Sequence, residues 1–433
     1  MNKRNKIIKK IAIICVIVII IELLIMLIMK IKNDRDFISY DNLNDMIVDD
    51  NYFIGVGSSD FSNSSFVNKK IYNYKNQNLV AMQGKITKYN NDFELLLEKS
   101  YESKYDSIFY SVVKANDGFI AVGYVVSNEE QIDVNTHDGL IVKFDNDFNV
   151  IWSKTYNVLG DTKFTKIIDD GDNNYVIIGH SIYENMEIGN HITGGGIIVR
   201  INNDGEITSR NNYGGNKSGI FNDIIKVKDG YIVCGKDATN YGIIVKFQND
   251  FNRDEKDNSL ITKKIMWQRT YSNTDNIGFT SMTMINDVLY VSGALNISDE
   301  KDKDGNLLFK YDAGVVVYNT SGKYLGKKVM GNSKNHNLFT SLATDNKYIY
   351  LTKMLDIDNT NEKKKSSIVK YDLEGNLIKE ETYDIDNIIL NKIITNNNQF
   401  LVIGMSDTKC SMLSGCDYEP IIRIYDNELK TIK

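Results

Sequence analysis

The chain has 433 residues, 42% of them hydrophobic and 25% charged, with a formal net charge of −6. That apolar content excludes a disordered chain, and the length exceeds what one simple core holds. With residues 1–35 set aside, 43 basic and 55 acidic side chains remain, a net charge of −12, which argues against nucleic acid and against anionic lipid as partners.

In chain order, residues 1–10 form a basic tail with Lys3, Arg4, Lys6, Lys9 and Lys10. Residues 11–29 are apolar except for Glu22. As a helix this run spans about 28 Å, close to the thickness of a bilayer core. The basic tail predicts a cytoplasmic N-terminus and the remainder outside the cell membrane, anchored by one pass. A cleaved signal peptide would have a shorter apolar run and small residues at its end; this run ends in Met29-Lys30-Ile31-Lys32. Cys15 lacks the small preceding residue of a lipoprotein site, since Ile13 and Ile14 stand there. An ionised Glu22 in the span is costly, so it is expected to be protonated or paired. Residues 30–36 read as a linker and 37–433 as the extracytoplasmic domain.

That domain repeats. Short apolar strands, most ending in glycine, recur as FIGVG (53–57), FIAVG (119–123), YVIIG (175–179), YIVCG (231–235), LYVSG (289–293), YIYLT (348–352) and FLVIG (400–404). Each is followed by a second β-rich segment: ITKY (86–89), IVKF (141–144), IVRI (198–201), IVKF (244–247), VVVY (315–318), IVKY (368–371) and IIRI (421–424). Turn residues come next, such as Asn202-Asn203-Asp204-Gly205, and then a third segment, clearest as IWSKTY (151–156) and MWQRTY (266–271). A fourth opens the next unit: FTKII (164–168), FNDII (221–225), FTSMT (279–283) and FTSLA (339–343). β-Branched and aromatic runs bounded by turn residues are strands. Four strands per unit and seven units predict an all-β, seven-bladed β-propeller of four-stranded blades, preceded by one N-terminal transmembrane helix. FISY (37–40) and residues 429–432 both read as outer strands, leaving the manner of ring closure open.

These repeats resemble those of bacterial membrane-anchored extracytoplasmic β-propeller proteins, whose units run Trp-Lys-Tyr, Gly-Tyr-Ile and Ile-Val-Lys-Phe. The resemblance spans roughly residues 40–433 and implies the fold, not an activity. Trp-Asp repeat endings, sialidase-type aspartate boxes and Kelch double glycines are absent from the sequence.

Two columns read as architecture. Lys88, Lys143, Arg200, Lys246, Lys370 and Arg423 share one place in the second segment, where each is expected to pair with an acid of its own or the next blade. Trp152 and Trp267 share another and read as blade packing. The links after the glycine strands are long (58–84, 124–138, 180–195, 294–312, 353–366, 405–419), whereas the turns before those strands and after the IVKF segments read as tight. Long links on one face of a rigid scaffold mark the expected working face. His137, His180, His191 and His336 map to it, with the acids Glu129, Glu130, Asp133, Glu184 and Glu187. The candidate ligand-binding residues are therefore His137, His180, His191, His336, Glu129, Asp133 and Glu184.

No metal or cofactor is expected. His–carboxylate groupings suit a transition metal but show no ligand spacing here, and the acidic segment 299–306 fails as a Ca²⁺ loop because Tyr311 stands where a glutamate is needed. Cys410 and Cys416 are candidates for a disulfide, and Cys234 reads as a buried small hydrophobe. No nucleophile elbow, zincin helix or phosphate loop is visible. The expected function is non-catalytic binding of a protein or glycan at the bacterial cell surface. The alternative is a hydrolase or lyase for glycans or peptides, with its site at the mouth of the central channel.

Overall fold

The computed structural model describes residues 41–432, with breaks at 50, 61–70, 75–76, 135, 158–159, 186–190, 214–218, 238, 240, 252–263, 273, 297–302, 304–310, 330–336, 356–364, 384–387, 397–398 and 412–414. The expected anchor 11–29 with Cys15 and Glu22, the linker 30–36, the strand 37–40, His336 and most of the acidic segment 299–306 lie outside the described residues. Among the described residues no helix is long and apolar enough to cross a membrane.

Among the described residues the blades are seven antiparallel sheets in sequence order, six four-stranded and the last three-stranded, and a separate two-stranded hairpin, Ile71–Tyr74 with Gln77–Val80, stands in the long link of blade 1. Blade 2 shows the pattern: inner strand Ser107–Ala115, second strand Gly118–Val125, third Asp138–Phe144 and outer Val150–Tyr156. The other inner strands are Asp41–Asp49, Asp161–Gly171, Gly219–Val227, Thr274–Ile285, Leu338–Thr344 and Ile388–Asn396. Blade 7 closes on blade 1 through a core of Leu43, Met46, Phe53 and Tyr89 with Leu401, Ile403 and Ile424. The C-terminal residues take the outer place of blade 7: Ile432 N donates to Ile424 O at 2.8 Å, and Thr431 bridges Tyr425.

All seven inner strands carry a β-bulge at the same place, just after Leu43, Phe109, Phe164, Phe221, Phe279, Phe339 and Leu390. The bulge presses the inner backbone onto the second strand, and this is why glycine recurs there. A Cβ on Gly123 or Gly235 would lie 1.8 Å from the carbonyl oxygen of Ile108 or Ile220. Blade 6 corrects the sequence alignment: the residue opposite Phe339 is Lys353, not Thr352. Lys353 is buried and reaches Glu380 at 3.3 Å.

The columns are clamps between blades. Tyr101, Tyr156, Tyr213 and Tyr271, at the ends of outer strands, pack on Phe109, Phe164, Phe221 and Phe279 of the next blade, with ring centroids 5.7–6.2 Å apart. Trp152 lies over Gly205 of the next blade and donates to Asn203 O at 3.3 Å, to which Lys143 also reaches at 3.5 Å. Trp267 and Lys246 treat Thr320 O alike, at 3.2 and 3.4 Å. The expected acid partners are present for Lys143 (Asp117, 2.6 Å), Arg200 (Asp170, 2.8 Å), Lys246 (Asp229, 2.7 Å) and Lys370 (Glu428, 3.0 Å). Lys88 and Arg423 depart from this, lying over the rings of Tyr52 and Tyr383.

Two expectations about connections are corrected. Several long links are largely β-structure: the second and third strands of blade 3 run on as Asn174–Asn185 and His191–Asn202, and those of blade 7 as Gln399–Ser411 and Gly415–Asp426. These are hairpin arms, extended because both strands keep their ladder past the outer strand. The turn after the third strand is not tight in blade 4, where residues 249–264 separate Gly242–Gln248 from Ile265–Tyr271 on the opposite face.

Candidate functional site

In an antiparallel meander the inner strand begins on the face where the second strand ends. The seven bulges lie near those beginnings, so they ring the channel toward the face of long connections. A bulge turns two successive side chains away from the regular alternation. At most of these bulges the first side chain ties blade to blade and the second helps line the channel.

The first residue reaches the backbone of the next blade. Asn44 Nδ2 donates to Phe109 O (2.8 Å), Thr165 Oγ1 to Phe221 O (2.6 Å) and Asn222 Nδ2 to Phe279 O (2.7 Å). Thr280 Oγ1 donates to Phe339 O (2.6 Å), Thr340 Oγ1 to Leu390 O (2.7 Å) and Asn391 Nδ2 to Leu43 O (3.1 Å). The last of these bonds closes the ring. Tyr110 holds the equivalent place in blade 2 and packs against Tyr124 instead.

The second residues are Asp45, Ser111, Lys166, Asp223, Ser281, Ser341 and Lys392. All of these but Asp45 and Ser111, together with the seven first residues that form a girdle, line a cavity of about 210 Å³. Asp45 is buried; its Oδ2 accepts from Ser111 Oγ at 2.6 Å and Val112 N at 3.4 Å, its Oδ1 from Met46 N at 2.9 Å, and Lys392 pairs with it. Asp223 repeats this three blades on. Its Oδ2 accepts from Ser281 Oγ and Met282 N, both at 2.9 Å, and its Oδ1 from Ile224 N at 3.0 Å, with Lys166 Nζ 3.6 Å away. Burial alone would raise the Asp45 carboxyl, but Lys392 and Lys166 hold it below the usual carboxylate range. Burial and the neighbouring Lys166 charge pull Lys392 below the ordinary lysine range, against the opposing pull of Asp45.

The predicted histidine site is partly assembled. His137 and His180 converge on Asp161, a residue the sequence did not single out. His137 Nδ1 lies 2.6 Å from Asp161 Oδ1 and His180 Nε2 3.7 Å from Oδ2. Lys163 stands 3.8 Å from the same carboxylate, and Tyr124 packs edge-on against His137 at 4.3 Å. Both imidazoles are buried at the seam of blades 2 and 3, and His180 and His191 lie in strands rather than loops. Glu129 stands apart at the start of the short helix Glu129–Val134, where Tyr105 Oη donates to it at 3.0 Å. Asp133 falls in that helix, and Glu184 and His191 on the arm of blade 3. No group of three metal-ligating side chains forms among the described residues. Cys410 and Cys416 face each other in the register of the blade 7 arm, while Cys234 is buried and free.

The channel residues were missed although their signal was visible. In FTKII, FNDII, FTSMT and FTSLA the second letter is always Thr or Asn and the third is polar. A strictly alternating strand would not place two polar residues side by side between apolar ones.

No known family matches this chain, and no curated protein is similar to it in sequence. Solved structures give fold-level matches. Phage phi92 endosialidase is 10% identical with a TM-score of 0.45, covering 90% of this chain and 67% of that one. The β-propeller domain of the trilobed protease from Pyrococcus furiosus is 9% identical with a TM-score of 0.45, covering 92% and 98%. An exo-1,5-α-L-arabinanase from a bovine ruminal metagenomic library is 9% identical with a TM-score of 0.35, covering 74% and 94%. No role for any residue of this chain follows from these likenesses.

Proposed function

We propose that this chain is a membrane-anchored, extracytoplasmic binding propeller of the bacterial cell surface, held by residues 11–29, that takes a small polyhydroxylated group, such as one ring of a glycan, at the girdled end of its channel. The observation that carries the reading is the cavity wall. Threonine, asparagine and serine make up most of it, with Tyr110, Lys166, Asp223 and Lys392. The girdle threonines give their hydroxyl hydrogens to backbone carbonyls and so offer a ligand acceptor oxygen, the asparagines keep a carbonyl oxygen and one N–H each, and Lys166 and Lys392 add charged donors. The cavity is smaller than the sites that enclose drug-sized ligands, which favours one ring over a long chain segment.

Binding fits this wall better than hydrolysis. Glycoside hydrolysis calls for two carboxyl groups flanking the bond, one of them kept protonated. Asp45 is instead held ionised, and both channel aspartates are tied into inter-blade hydrogen bonds. The competing reading, a hydrolase or lyase for glycans or peptides at the same mouth, draws on Lys392, whose lowered pKa suits an amine that removes a proton. The full-length protein in detergent, screened on a glycan array and then incubated with the glycans it retains and with peptides, separates the two. Retention without product supports binding. Turnover that disappears in Lys392→Gln replaces the reading with catalysis.

A further inference from the structure

We infer that the two lysines of the channel cavity form an oxyanion clamp, so that the group bound there carries a carboxylate, as on an acidic sugar; this rests on the binding reading above and specifies its ligand.

Asp223 in the cavity wall and Asp45 beside Lys392 do not use up every N–H of the two ammonium groups. Each carboxylate already accepts three neutral hydrogen bonds: Asp45 from Met46 N, Ser111 Oγ and Val112 N, and Asp223 from Ile224 N, Ser281 Oγ and Met282 N. Neutral donors of this kind stabilise the carboxylate charge alongside the lysines and fill most of its acceptor sites. Among the described residues the nearest carboxylate oxygen to Lys166 Nζ is 3.6 Å away, beyond a hydrogen bond. Each ammonium has three N–H groups and no acceptor capacity. Lys392 gives one to Asp45, and the others remain for a ligand.

The two ammonium groups share one cavity and repel each other. Burial, with that repulsion, makes Lys392 a weaker base than an ordinary lysine. An oxyanion between them would satisfy spare donors on both and relieve the repulsion, and its binding would be accompanied by proton uptake on Lys392. The charged groups acting on Lys392 are Asp45 from blade 1, Lys166 from blade 3 and Asp223 from blade 4. Polyhydroxyl contacts to the girdle would seat the ring that bears the anion.

The test is calorimetric titration of the full-length protein in detergent with glucuronate, glucose and inorganic sulfate. Glucuronate is expected to bind at least about tenfold more tightly than glucose, ~1.4 kcal/mol. Its affinity should fall by a similar factor in Lys166→Gln and in Lys392→Gln, yet persist in the Lys→Arg versions, which keep the charge and report on folding. Affinity should also weaken as pH rises from about 7 to about 9.5, below the ordinary lysine value of about 10.4, because Lys392 loses its proton early. Sulfate competing with glucuronate supports the clamp and shows that the anion, not the ring, supplies most of the affinity. Equal binding of glucuronate and glucose overturns the clamp while leaving the polyhydroxyl reading standing. Failure of all three ligands overturns both. Full affinity in the Gln variants moves any anion site elsewhere.

Discussion

Asp161 is the residue on which two of the four histidines converge, and its environment makes a pH prediction. Burial by itself would raise its carboxyl, but the hydrogen bond with His137, the nearby His180 imidazole and the charge of Lys163 hold it far below the usual carboxylate range. A folded-state pKa below the unfolded one contributes stability that is fully present above the unfolded value, about 3.9, and is lost as pH falls toward the folded value. The protein is therefore expected to lose part of its stability between about pH 4 and the acid limit through this group. Asp161→Asn should be less stable at neutral pH and show a shallower acid dependence than the parent, measured by urea denaturation across pH. Identical acid slopes in the two proteins would show that the carboxylate is not linked to folding. The pair His137–Asp161 was legible only by half: the histidines stand out by rarity, whereas Asp161 is one acid among many until the seam of blades 2 and 3 forms.

At the scale of the element, the inner-strand bulge and the second-strand glycine are one device. The bulge displaces the inner backbone toward its neighbour, and only a residue without a side chain accepts that approach at Gly123, Gly179 and Gly235. Gly235→Ala would place a Cβ 1.8 Å from Ile220 O, with no flexible side chain to yield. A loss of about 1–3 kcal/mol is expected, typical of overpacking, read as a lower urea midpoint with an unchanged slope. Ordinary Gly→Ala exchange at an unstrained site goes the other way, so a stabilised variant would refute the close approach. Blade 6 shows the alternative solution, with Lys353 in the glycine place and its ammonium directed to Glu380.

For the whole molecule the decisive contact is between blades 7 and 1, the only neighbours not joined by a short connection. Asn391 donates to Leu43 O, Lys392 pairs with Asp45, and Leu401, Ile403 and Ile424 pack on Leu43 and Met46. Removing one partner of a buried ion pair costs about 3–5 kcal/mol because the other charge is left uncompensated. Asp45→Asn is expected to lose stability of that order and to expose the 7–1 seam first. Hydrogen exchange should then show early loss of protection in Asp41–Asp49 and Ile388–Asn396 relative to the inner strands of blades 3 to 5. Uniform loss around the ring would show that closure is not the weak point.

Local sequence alone determined the seven-fold β repeat, because period-two patterning, β-branched runs and turn residues act within a few positions of one another. It also located the clamps as columns, since a contact repeated in many blades leaves a repeated letter. The polar pair in each inner strand was equally local, yet its meaning was not. Whether a threonine binds its own turn or the carbonyl of a blade about 56 residues on depends on the ring being closed. Only the tertiary structure brought Lys166, Asp223 and Lys392 to one cavity, with Asp45 paired to Lys392, because residues so far apart in the chain become neighbours solely through the axis they share.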